Sequence, residues 1–469
     1  MSLGLRIAHN TLYLIVGKII STALGVTTIA LLLRYLSPDD YGRYTAVIAF
    51  VLLLGTVTDF GLNLSTTQDI SENNQDTAKT INSVFTARII ANVILLALLP
   101  AILMLFPYEH TVKQAIMLTS LLFFANSLFQ ILTAYFQKTL QAGKIAIAEL
   151  GGRVMLFAST LLAIQFRFTF LELMLTVIAS GFAQLWVMVH FTSKEFPIVF
   201  SVDWTTWKRI ARKTWPIALS VVFTTIYFKG DAVILSLVRP FEDVGIYGAA
   251  YKILEVLITV PILIMGLILP HLTARYSAKD LEGFHTVIQS TWDALSLITI
   301  PMVIGTVAIA HPIIQLIAGD GYEPAARVLQ ILIVAAGIIF LGSIFTHAIV
   351  AINKQKTMVP FYAAAAVGSI ALYVLFIPMY TYYAAAAVTV LAEFFIASVA
   401  AYKVLSITRR LSFAYFNKSL LASIGMGIVL ASIPTANVFL LLPLGALCYI
   451  GLIALLGVRA HTFYKSMHS

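Results

Sequence analysis

Charge and cysteine are scarce in this chain. Only 11% of its 469 residues are Asp, Glu, Lys or Arg, and there is one cysteine, Cys448, inside an apolar run. A soluble domain carries about 25% charged residues, so a water-exposed globule is excluded, as are a disordered chain and a coiled coil. One cysteine excludes an internal disulfide framework and a cysteine metal cluster. No His, Cys or carboxylate group has metal-ligand spacing, and no glycine-rich phosphate loop is present, so neither a resident metal nor a nucleotide cofactor is expected. Long outer loops are missing too, which leaves no place for a catalytic domain, and an enzyme is not expected. What the chain does have is apolar length. Hydrophobic residues make up 60% of it, mean hydropathy is +0.94, and runs of about 20 apolar residues recur throughout, the pattern of a polytopic all-α membrane protein.

Fourteen such runs are read, from Asn10–Leu33 to Val438–Val458. The first is too long for a signal-peptide core and is expected to remain as a span. With the N-terminus placed in the cytoplasm, inner segments hold 21 Lys and Arg and outer segments 6, with Lys18, Lys229 and Lys252 inside spans. The bias predicts both termini inside and an even number of crossings. It also accounts for the net charge of +9 without nucleic acid.

Two stretches repeat. Asp39-Asp40-Tyr41-Gly42-Arg43-Tyr44 precedes the second span and Glu242-Asp243-Val244-Gly245-Ile246-Tyr247 the eighth, 203 residues later. A repeat of six helices gives two halves of like orientation. The expected organisation is a six-helix lobe (1–191), a cytoplasmic linker (192–215), a second six-helix lobe (216–405) and two added helices with a tail (406–469). Within the linker, Trp204, Trp207, Ile210 and Ala211 recur at helical spacing opposite Lys208, Arg209, Arg212 and Lys213. This is the pattern of a basic amphipathic helix at the inner interface, either an elbow between lobes or a contact for lipid or substrate headgroups.

Three places carry a family pattern: Leu36-Ser37-Pro38-Asp39-Asp40-Tyr41-Gly42-Arg43-Tyr44 with Asp59-Phe60-Gly61-Leu62; Gly319-Asp320-Gly321-Tyr322 continuing through Ala325-Ala326 to Leu332; and Ile377-Pro378-Met379-Tyr380 with Ala384–Ala387 and Glu393. They resemble the polysaccharide transporter family, the O-antigen type lipid-linked oligosaccharide flippases of the multidrug/oligosaccharidyl-lipid/polysaccharide exporter superfamily. The family usually has glycine where Thr381 and Tyr383 stand. The resemblance implies two lobes forming a V around a central cavity, alternating access in the cytoplasmic membrane of a prokaryote, and an undecaprenyl-diphosphate-linked oligosaccharide as cargo.

Charges within spans point to function because each is expensive at bilayer depth, about 2.5–3.5 kcal/mol at a helix centre. A diphosphate headgroup needs cations, and Lys18, Arg88, Arg153, Lys229 and Lys252 are the candidates. Asp59, Asp231, Glu255, Asp293 and Glu393 are candidates for ion pairing or for coupling to a proton or sodium. Arg88 and Arg153 can alternatively snorkel to inner headgroups. Lys252 and Glu255, three apart, can form an ion pair on one helix face, and Asp231–Lys252 or Lys229–Glu255 can pair across helices. Membrane lipids are the remaining partners, and a monomer is expected. A drug or organic-cation exporter of the same superfamily is the rival reading, and a polysaccharide polymerase a weaker one.

Overall fold

The structure is a computed structural model describing residues 3–59, 62–72, 77–435 and 437–458. The side chains of some helical residues, Lys18 among them, lie outside the described residues. Helices are α1 (Leu3–Tyr35), α2 (Pro38–Asp59), α3 (Leu62–Glu72), α4 (Thr77–Met104), α5 (His110–Lys138), α6 (Ala142–Gln165), α7 (Phe170–Ser193) and α8 (Trp204–Val238). They continue as α9 (Phe241–Leu257), α10 (Thr259–Ser277), α11 (Leu281–Ile317), α12 (Ala325–Ala351), α13 (Val359–Leu405), α14 (Ala414–Ser432) and α15 (Val438–Leu455). No strand occurs among the described residues.

Local chemistry sets the starts of these helices. Pro38 opens α2 with Asp39 and Asp40 in its first turn, where carboxylates oppose the helix dipole. Thr169 and Glu172 form a capping box on α7. Asp203 caps α8 through the Thr205 and Thr206 N–H groups, and Asp280 caps α11 through Gly283 N–H.

Eleven helical stretches are long and apolar enough to cross a membrane, and Ile20–Tyr35 of α1 is a shorter apolar helix. One of the eleven holds two crossings. α13 is 47 residues long but turns at Thr381, whose backbone is at φ 54°, ψ −141°. The Tyr373 and Thr389 hydroxyls lie 3.4 Å apart, although sixteen residues of continuous helix would put them about 24 Å apart. Phe361 likewise meets Phe395, with ring centroids 6.4 Å apart and the rings tilted at 50°. α13 is therefore a hairpin whose turn is one residue, and Thr381 takes the positive φ that glycine would supply. With α2, 22 residues or about 33 Å long, the described residues offer fourteen helical stretches for crossings. α9 and α10, interrupted at Ile258, make one crossing. The short helix α3 is an addition that the apolar pattern does not reveal.

The chain divides into two compact units, Met1–Gly245 and Ile246–Ser469. In the first, α5 packs on α2, α3, α4 and α7, while α6 lies on α1 and α7. In the second, α12 packs on α10, α11 and α13, and α14 and α15 lie on α11. The most enclosed crossing of each unit is α5 or α12. In the order of the apolar stretches these are the fourth and the tenth. Large side chains such as Val93, Ile94 and Leu98 face outward, where acyl chains would cover them.

Candidate functional site

Two features of the first unit are built from motifs visible in the sequence. One joins the repeated stretches. The first turns of α2 and α9 meet at Gly42 and Gly245: a Cβ on Gly42 would overlap the Phe241 carbonyl oxygen, and one on Gly245 would overlap the Pro38 carbonyl oxygen. Each glycine touches the residue four before the other, so the contact has the symmetry of the repeat. Asp40 and Asp243 accordingly lie at the same end of the molecule. Arg43 adds to the junction, pairing with Asp39 and Asp40 and lying 5.4 Å from the Phe241 ring. Nearby, the Tyr108 and Ser236 hydroxyls are hydrogen-bonded at 2.8 Å.

The second feature is charge buried within the apolar layer. Arg88 of α4 is fully buried, its guanidinium against the Asp59 carboxylate at the end of α2. Its guanidinium is enclosed by protein on every side. Four residues on, the Asn92 amide donates to Ser127 Oγ at 2.6 Å. Arg153 of α6 is exposed, and its guanidinium covers Gly25 of α1, where a Cβ would come within 3.5 Å of Nη1. Lys18 is on that same helix, seven residues earlier, with its side chain outside the described residues. Lys229 of α8 lies 5.5 Å over the Phe228 ring. Asp231 is completely buried and accepts from the Ala232 N–H.

In the second unit, Lys252 and Glu255 form an ion pair at 2.7 Å along α9. Asp293 is buried on α11 and accepts from Gln289 at 2.9 Å. Gln289 in turn exchanges two hydrogen bonds with the Ser412 backbone. Glu393 is buried on the second arm of α13, within electrostatic reach of Tyr362 on the first. The structure thus brings Asp59 to Arg88 and Lys252 to Glu255.

Two contacts were not legible as sites. Asp69 of α3, nearly inaccessible, binds Arg209 of α8 through two hydrogen bonds of 3.2 and 3.0 Å. Asn82 and Thr86 of α4 hold the backbone at residues 197–201. Their partners lie 115–140 residues away, beyond any local pattern. Outside the spans, the Thr205 hydroxyl and then the Thr206 groups hold the Asp203 carboxyl far below the usual carboxylate range. The Lys144 hydrogen bond lowers Glu195 likewise. No group of three or more His, Cys, Asp or Glu side chains fit to hold a metal occurs among the described residues.

A family model described as polysaccharide biosynthesis protein matches residues 7–275, and a MatE model matches residues 216–379. Among solved structures, the lipid II flippase MurJ in an inward closed conformation is similar over 97% of this chain and 99% of that one, with a TM-score of 0.79 and 15% identity. A MATE family multidrug resistance transporter of the MOP superfamily, in an inward-facing conformation, is similar over 82% of this chain and 95% of that one (TM-score 0.68, 13% identity). A MOP superfamily transporter from Pyrococcus furiosus, described as having a binding pocket of reversed polarity, matches 86% of this chain and 96% of its own (TM-score 0.58, 12% identity). No curated protein matches the chain. At these identities the likeness is one of fold.

Proposed function

This chain belongs to the polysaccharide biosynthesis protein family, and from that premise we propose that it is a flippase for an undecaprenyl-diphosphate-linked oligosaccharide. It works by alternating access in the cytoplasmic membrane of a prokaryote, as a monomer with both termini in the cytoplasm. The observation that carries the reading is the match to that family over residues 7–275. The fold it shares with a lipid II flippase along almost its whole length supports it. A diphosphate dragged through an apolar layer requires cations in its path, because an unpaired anion at that depth is strongly disfavoured. Arg153, exposed beside α1, and Lys18 on α1 are the proposed diphosphate ligands of the first unit. Lys229 and Lys252 are their proposed counterparts further along the chain. Arg88 is already committed to Asp59, so its proposed part is to be released to the cargo when α2 and α4 shift. Asp231, Glu255, Asp293 and Glu393 are proposed for coupling to a proton or sodium gradient. No chemistry on the cargo is proposed.

A drug exporter is the second reading, favoured by the MatE match over residues 216–379. The two separate in proteoliposomes carrying a fluorescent lipid-diphosphate oligosaccharide. Protein-dependent exposure of the label to a membrane-impermeant quencher is expected, reduced in Arg153→Gln and Lys18→Gln. Exposure no faster than in protein-free vesicles, together with export of a cationic dye, would give the rival reading.

A further inference from the structure

The segment joining α7 to α8 is fixed in an unusual way. Residues 197–202 have no regular structure, yet their backbone is held at alternate positions by one helix. The Asn82 amide donates to Pro197 O at 3.0 Å and its carbonyl accepts from Val199 N at 3.4 Å, while Thr86 Oγ1 accepts from Ser201 N at 3.0 Å. Irregular backbone is tolerated at membrane depth only where its polar groups are satisfied by protein. The apolar run of α4 begins at Ile81, so Thr86 lies about 7 Å inside it. Just beyond, Trp207 Nε1 donates to Ser83 O at 3.0 Å, Arg209 is clamped on Asp69, and Ile210 and Phe196 are buried in a core with Ile70, Ile81 and Phe136.

One side of this segment is therefore consumed by the protein. The other presents Val199, Phe200, Val202 and Trp204, with Phe200 77% and Trp204 71% exposed. Exposed Lys208 and Arg212 follow one and two turns into α8. The single carboxylate of the stretch, Asp203, is occupied with capping α8. Aromatic and aliphatic side chains beside exposed cations, at the depth where a span begins, match a layer of acyl chains topped by anionic headgroups. A soluble protein partner would have to reach below the polar layer to cover Phe200 and Val202.

We propose that residues 199–212 form a binding surface for anionic phospholipid, with Phe200, Val202 and Trp204 among the acyl chains and Lys208 and Arg212 on the phosphates. The site is independent of the cargo. It ties the leaflet to α4, the helix that carries Arg88.

The test uses the full chain in nanodiscs, with Trp204 left as sole tryptophan by Trp186→Phe, Trp207→Phe, Trp215→Phe and Trp292→Phe. In mixed discs, brominated chains on phosphatidylglycerol are expected to quench Trp204 more than the same chains on phosphatidylcholine. Each cation removed by Lys208→Gln or Arg212→Gln lowers that preference about fivefold, the equivalent of a basic residue at an anionic surface. Equal quenching by both lipids overturns the proposal. So does quenching by aqueous iodide alone, which would mark a surface open to a protein. If the single-tryptophan protein does not fold, the native-tryptophan chain is melted in the two lipids. A higher midpoint in phosphatidylglycerol that Lys208→Gln/Arg212→Gln removes supports the proposal, and a difference unaltered by the pair of substitutions overturns it.

Discussion

A guanidinium held away from solvent, as Arg88 is, is tolerable only while its counter-charge is in place. Removing one partner of a buried ion pair typically costs about 3–5 kcal/mol, because the other charge is left uncompensated, whereas removing both is often close to neutral. Arg88→Gln and Asp59→Asn should each lower the thermal stability of the detergent-purified protein sharply, and the double variant should recover most of it. Additive losses in the double-mutant cycle would show that the two side chains are not energetically coupled. Thr381 gives the opposite expectation. A β-branched residue at φ 54° stores strain of about 1–3 kcal/mol, so Thr381→Gly should raise the melting temperature. The charges of the apolar runs were legible in the sequence because each interrupts a local pattern. The partnership of Arg88 with Asp59 was not, because it depends on how α2 and α4 pack.

At the scale of the element, the α2–α9 junction admits no side chain at two positions. Gly42→Ala and Gly245→Ala should each destabilise by about 1–3 kcal/mol, the usual range for overpacking. Gly368→Ala, in a helix interior with nothing nearby, should be neutral or stabilising, since alanine is the better helix former. Equal stability for all three variants would show that the close approach does not matter. The start of α8 has a pH signature. Asp203 has a lowered pKa, so its contribution is complete above the ordinary carboxyl value of about 3.9 and disappears only as pH falls through the lowered folded value. Hydrogen exchange at residues 204–207 should therefore show no loosening of the helix between pH 7 and 5, after correction for intrinsic exchange rates. Asp203→Ala should loosen it throughout that range. Crossings were legible because apolar length is local. Helix α3 and the clasped segment at 197–201 were not, since α3 has little apolar character and the segment is held by residues over a hundred positions away.

For the whole molecule, charge asymmetry and the count of crossings make one joint prediction. Reporter fusions at either terminus should read as cytoplasmic, and a fusion after Lys113 as external. An external C-terminus alone would require an odd number of crossings. The repeat was legible as four like positions in six, an acidic residue, Asp, Gly and Tyr, and its physical meaning emerges only when Gly42 and Gly245 are seen against each other's backbones.

The hairpin of α13 has a practical corollary. Proteases take their substrates as several consecutive residues in extended form, and antibodies against loops need a comparable length of accessible chain. At Thr381 helix gives way to helix across a single residue, so there is nothing to extend. The tip should resist nicking on intact cells, and an epitope inserted there should abolish accumulation of the protein rather than be displayed.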